Sequence, residues 1–98
     1  MTELEVRCSR APDDPTWTCF VTVDVDDGPR TEHRVRVSAT DLERLDPGAP
    51  DPHLLVNRAF RYLLIHEPST SILRSFDLTE IGRYFPDWEA SVARRDQD

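Results

Sequence analysis

The chain reads as an α+β domain: a three-stranded antiparallel β-meander, order 1-2-3, with a main helix and three short helices packed on one face. Three observations predict this class. Before Ser38 the hydropathy alternates with period two and Val and Thr are frequent; after Asp51 it takes a helical period; between them lies the turn-rich stretch DPGAPDP. Strands and helices are thus segregated along a chain of 98 residues, short enough for one domain. That domain spans residues 1–93, and residues 94–98 (RRDQD) form a frayed polar tail.

The segment 16–25 sets Trp17, Cys19, Val21, Val23 and Val25 on one face and Thr16, Thr18, Phe20, Thr22 and Asp24 on the other. This is a half-buried central strand. Segment 3–8 alternates with Leu4, Val6 and Cys8 facing in, and segment 31–38 with His33, Val35 and Val37. Parity restricts the register, because a slip of one residue moves a whole apolar set to the other face. For the first hairpin, pairs whose numbers sum to 27 set Leu4 on Val23, Val6 on Val21 and Cys8 on Cys19. For the second the sum must be even. A two-residue turn on Asp27-Gly28 gives an odd sum, so an odd-length loop or a bulge is expected around residues 27–30. A sum of 58 sets Asp24 opposite Arg34 and is preferred to 56, which sets Asp24 opposite Glu32.

Thr40-x-x-Glu43 reads as a capping box opening a short helix that buries Leu42 and Leu45. Asp51 then caps, and Pro52 starts, the main helix over 53–66, which ends before Pro68 because the residue preceding proline is driven out of the helical region. Its apolar residues cover an arc of about 200°, roughly twice what a surface helix needs. A short helix over 69–76, with Ile72, Leu73 and Phe76 on one side, follows. Asp77-x-x-Glu80 caps the next, whose Leu78, Ile81, Tyr84 and Phe85 form a stripe continued past Pro86 by Trp88 and Val92.

The span 60–86, FRYLLIHEPSTSILRSFDLTEIGRYFP, resembles the C-terminal signature of a family of short bacterial proteins. Their pattern is an aromatic, FLL or similar, then E-P, SIL, FDL, I and YFP, with His66 here in place of an expected Arg. The resemblance implies a compact bacterial α+β domain. The family has no established activity, so the resemblance transfers no catalytic residue.

Chemistry-bearing patterns are missing. With glycine only at 28, 48 and 82 there is no phosphate-binding loop, and no GxSxG elbow occurs. His33, His53 and His66 lack the i, i+3 or i+4 spacing of paired ligands, and His66-Glu67-Pro68 does not continue as HExxH. No catalytic residue, metal ligand or cofactor is assigned. Cys8 and Cys19 stand opposite each other within disulfide reach; in the expected cytoplasmic setting they read as reduced thiols filling the core rather than a redox clip. The setting follows from an N-terminus without a signal-peptide pattern and from the longest apolar run, Tyr62-Leu63-Leu64-Ile65, far too short for a membrane.

Two surfaces stand out. On the main helix, Leu54 and Ile65 fall within about 20° of each other inside the polar stripe that holds Arg58 and Arg61. Either the following helices cover Ile65, or apolar anchors and arginines share an exposed ridge of interface make-up. On the outer sheet face Arg7, Phe20, Arg34 and Arg36 gather, an aromatic among guanidinium groups that could stack a base or hold an anion. The net charge of −7 argues against nucleic acid as the partner. The leading expectation is a small non-catalytic protein-interaction module that binds another protein or itself. A small-molecule site between helices and sheet, using His33 or His66, is the alternative, and nucleic-acid binding through the outer face is third.

Overall fold

The computed structural model describes residues 2–92; the predicted tail at 94–98 lies outside them. β1 (Thr2–Ser9), β2 (Thr16–Val25) and β3 (Arg30–Ser38) form the expected antiparallel meander. Helices α1 (Ala39–Leu45) and α2 (His53–His66) follow, then a 3₁₀ turn at Ser69–Ser71, β4 (Ser75–Asp77), a 3₁₀ helix at Leu78–Arg83 and α3 (Trp88–Val92). The α+β class holds, and the sheet differs from the expected three-stranded antiparallel one. It is four-stranded in the order β1-β2-β3-β4, with β4 parallel to β3.

The first hairpin has the predicted register, Leu4 on Val23, Val6 on Val21 and Cys8 on Cys19. The second keeps the predicted even parity with a different sum, 54 rather than 58: Asp24 faces Arg30 and Cys19 faces Val35. The ladder closes on Asp24 and Arg30, leaving the odd-length loop 25–29, in which Asp27 takes a positive φ of 58° and the Gly28 N–H donates to the Val25 carbonyl at 3.0 Å. Both registers bury the same side chains, so the core term does not separate them; exposed charge pairs worth well under about 1 kcal/mol decide little.

The expected helix over 69–76 is replaced by the 3₁₀ turn and β4. Left as a helix, it would leave the outer edge of β3 unpaired; as a strand it accepts the Arg34 N–H on the Arg74 carbonyl at 2.7 Å. His33 adds a second tie. Its Nδ1 lies 2.8 Å from the Leu73 carbonyl and its Nε2 2.9 Å from Thr31 Oγ1. A carbonyl only accepts, so Nδ1 carries the proton and Nε2 accepts from the threonine hydroxyl.

The start of α1 also differs from expectation. Its cap is Ser38, whose Oγ accepts the Asp41 N–H at 3.0 Å, two residues before the predicted Thr40. The extended backbone of Ser38, last residue of β3, lets the strand run directly into the helix. At α2, Asp51 Oδ1 accepts the His53 N–H at 2.8 Å, and extended Glu67 ends the helix before Pro68 as predicted. The Asp77/Glu80 capping box is present, on a 3₁₀ rather than an α-helix.

One continuous core results. Val6, Cys19, Val21, Val23, Val35 and Val37 from the sheet pack on Leu55, Val56, Ala59, Phe60 and Leu63 of α2. Ile72, Phe76, Leu78, Ile81, Trp88 and Val92 close its far side. Phe60 stacks with His33 and Phe76 at centroid distances of 5.3 and 6.1 Å. Trp88, fully buried, lies against the Cα of Gly82, where a Cβ would stand 3.1 Å from the indole Nε1.

Two outcomes follow from this packing. Gly82→Ala forces the enclosed Trp88 ring to shift and is expected to lower the unfolding free energy by about 1–3 kcal/mol in urea titrations; a wild-type midpoint would show that the ring yields freely. Burial holds the His33 pKa below its ordinary 6.5, with the Leu73 hydrogen bond opposing and the Arg74 charge assisting. The unfolded chain therefore takes up this proton first. His33 leaves stability independent of pH above about 6.5 and lowers it as the pH falls below that value, by at most about 1.4 kcal/mol per pH unit. Urea midpoints measured between pH 7.5 and 5 should show this slope in the wild type, and His33→Gln should lack it.

Candidate functional site

The outward stripe of α2 is exposed where the sequence left two possibilities open. Ile65 is 80% and Leu54 61% accessible, so the following segments do not cover them. The extended backbone at Glu67 and Pro68 carries the chain away, toward the edge of β3. Arg61 stays on the ridge and donates from Nε to Asn57 Oδ1 at 2.9 Å. Arg58 leaves it. Its Nε donates to the Val92 carbonyl at 2.9 Å and its Nη2 to Asp46 Oδ2 at 3.2 Å, binding α2 to α3 and to the joint after α1. Asp46 is buried and needs a cation there, which gives Arg58 a structural task. Of the four predicted residues, three form the ridge.

On the outer sheet face the register aligns Arg7, Phe20, Arg34 and Ser75 in one row across all four strands. Phe20 is exposed between the two arginines. Arg36 lies one row away and pairs with Asp77 at 2.8 Å, so it drops out of the predicted set. Arg74 takes its place, delivered beside β3 by the strand that sequence periodicity missed. Arg7, Phe20, Arg34 and Arg74, together with Glu32 and parts of His33 and Thr22, line an open hollow of about 340 Å³. Among the described residues, the ion pairs involve Arg36, Arg44 and Arg58, and none of the hollow's arginines.

Cys8 and Cys19 are joined as a disulfide, contrary to the reduced-thiol expectation. Their directly opposed positions on neighbouring strands bring the two sulfurs together, which the register already required. The histidines remain apart: His33 is held between β3 and β4, His53 is exposed at the start of α2, and His66 stacks on Tyr62 and Phe85 at 4.5 and 5.2 Å. Among the described residues no cluster of three His, Cys, Asp or Glu side chains could hold a metal ion. No described helix is long and apolar enough to cross a membrane.

A third surface escaped sequence reading. Between the C-terminal end of α2 and residues 71–85 lies an open cleft of about 330 Å³. Ile72, Phe76 and Ile81 form its apolar floor, Leu73 and Tyr84 stand on its rim at 50% and 66% accessible, and its two charged lining residues are Glu67 and Glu80. The predicted stripes set Leu73 and Tyr84 inward. Ile72 is buried and Phe85 half-buried while their neighbours Leu73 and Tyr84 face out, and consecutive apolar residues are no signal of this, since α2 buries both members of Leu55-Val56 and of Ala59-Phe60.

With this geometry in hand, comparison with known proteins adds no relative: no family model, no curated protein and no solved structure matches the chain.

Proposed function

We propose that this chain is a small non-catalytic protein-interaction module whose cleft beside β4 receives an apolar anchor from a partner segment carrying basic residues. The observation behind this reading is the pairing of an open, apolar-floored cleft with exposed Leu73 and Tyr84 at its mouth. Interface anchors take this form, a bulky apolar or aromatic group entering a pocket with an aromatic at its edge. The charge of the rim selects the flanks of the anchor. Glu67 and Glu80 are its two charged residues and the chain as a whole carries −7, so Lys or Arg beside the anchor is attracted and acidic flanks are repelled. Neither His33 nor His66, the residues on which the small-molecule alternative would rest, lines the cleft. The ridge of Leu54, Arg61 and Ile65 is a second exposed surface of interface composition.

The outer hollow favours a second reading. Three arginines beside Phe20 suit an anion with a planar ring, including single-stranded nucleic acid. Glu32 in the same hollow and the negative charge of the chain weigh against it. Retention of a fluorescent oligonucleotide that falls as salt rises would support it; no retention at low salt would end it.

Fluorescence anisotropy with two model peptides tests the leading reading. Both carry a central Leu–Trp anchor, one flanked by arginines and the other by glutamates. The arginine peptide should bind at least tenfold more tightly, and Tyr84→Ala and Leu73→Ala should each weaken it about tenfold while leaving the thermal midpoint unchanged, since both residues are largely exposed. Equal affinity for the two peptides, or binding indifferent to both substitutions, would refute the cleft as the site.

A further inference from the structure

We propose that a second copy of this chain pairs with the free edge of β1, antiparallel and about a two-fold axis through Val6, to form a continuous eight-stranded sheet. This surface is separate from the cleft, and neither proposal depends on the other.

The ladder shows which groups of β1 face outward. The Arg34 N–H is directed to β4, because it donates to the Arg74 carbonyl. In an antiparallel pair opposed residues alternate between exchanging both backbone bonds and exchanging none. Phe20, opposite Arg34, is therefore a non-bonded partner on that side, and its N–H faces β1. Arg7 and Phe20 then exchange bonds, which leaves the N–H and C=O groups of Leu4, Val6 and Cys8 directed at the free edge. Among the described residues nothing pairs with them, and they form a regular row along an eight-residue strand without proline and without a break in register. The other edge of the sheet, β4, has three residues. A short edge is a protected one, and a long regular edge invites a partner strand.

The side chains select both partner and register. On the outer face β1 carries Glu3, Glu5, Arg7 and Ser9, and on the inner face Leu4, Val6 and Cys8. Pairing residues whose numbers sum to 12 sets Glu5 opposite Arg7 of the second copy, twice by symmetry, and Glu3 opposite Ser9. Leu4 meets Cys8 and Val6 meets its own copy. The outward backbone groups of residues 4, 6 and 8 then complete about six bonds. The Glu5–Arg7 pairs fall at the non-bonded positions, where side chains lie closest. A sum of 10 puts Glu5 on Glu5 and a sum of 14 puts Arg7 on Arg7, so like charges penalise both neighbouring registers. Leu4 and Cys8, half-exposed in the single chain, become covered. A self-complementary patch that maps onto itself through a two-fold axis is the requirement for a closed dimer.

Light scattering on a size-exclusion column, and sedimentation equilibrium from about 1 to 200 µM, should return a mass approaching twice 11.3 kDa as concentration rises. Glu5→Arg and Arg7→Glu each set like charges together and should raise the dimer dissociation constant at least tenfold. The double variant restores both pairs with their signs exchanged and should return the constant to within about threefold of wild type. Val6→Pro removes an N–H that this pairing uses and the single chain does not, and should give a monomer with an unchanged far-ultraviolet spectrum. Circular dichroism of the charge variants, altered on the solvent face alone, keeps the test valid if the proline variant misfolds. A wild type that stays monomeric throughout, or a dimer that ignores both reversals, would overturn the proposal.

Discussion

The apolar faces of three strands must coincide above a single helix, and the rest of this molecule is arranged around that requirement. Val6 on Val21, Cys19 on Val35 and Val21 on His33 are one layer, closed from below by Leu55, Ala59 and Phe60. Burying one such aliphatic or aromatic side chain contributes about 1.5–3 kcal/mol, against well under 1 kcal/mol for an exposed charge pair. The inner face therefore sets parity without regard to the outer one. Phe20 is exposed because Cys19 and Val21 cannot be, and its arginine neighbours follow from the same ladder.

This hierarchy explains which features could be read from sequence. The first hairpin takes the register expected of it, a sum of 27 that sets Leu4 on Val23, Val6 on Val21 and Cys8 on Cys19, although sums of 25 and 29 keep the same parity. The second was legible in parity alone. Registers summing to 54, 56 and 58 bury the same residues, and the choice of 54 rests on a five-residue loop with Asp27 at positive φ, a local matter that outer-face charges do not report. The main helix, with Asp51 before it and Pro68 after it, announced both its ends. β4 was hidden because Ile72, Leu73 and Phe76 fit a helical spacing as well as an extended one. What decides between them is the unpaired edge of β3, and that edge exists only in three dimensions. Cys8 and Cys19 were placed correctly and bonded wrongly: register brings the sulfurs together, whereas the reduced-thiol reading came from an assumed compartment.

Surfaces were legible in part for the same reason. Leu54, Arg61 and Ile65 follow from helical angles, so the ridge is where the sequence puts it. Arg58 shares those angles, yet a long side chain reaches past its own face, and a buried carboxylate twelve residues back claims it. The hollow needed Arg74 and the cleft needed Leu73, both from the segment expected to be a helix over 69–76, together with Tyr84, which the next apolar stripe sets inward. A site assembled from the end of α2, a 3₁₀ turn and a 3₁₀ helix has no single period to reveal it.

The order β1-β2-β3-β4 places the free edge and the cleft on opposite sides of the sheet. Joining two copies through β1 would occupy neither cleft and would set the pair at the two outer ends of one layer. The axis stands perpendicular to the sheet, so both sets of helices, and with them both clefts, lie on the same face. A partner presenting two anchors on a flexible chain long enough to span the eight-stranded layer would meet the second cleft as an intramolecular event. Weak binding at a single open cleft would then become avid without any change in the cleft itself. For a domain whose core is already filled by α2 and the 71–92 segment, strand pairing is the route to that gain which disturbs the interior least, because it uses backbone groups that folding leaves over.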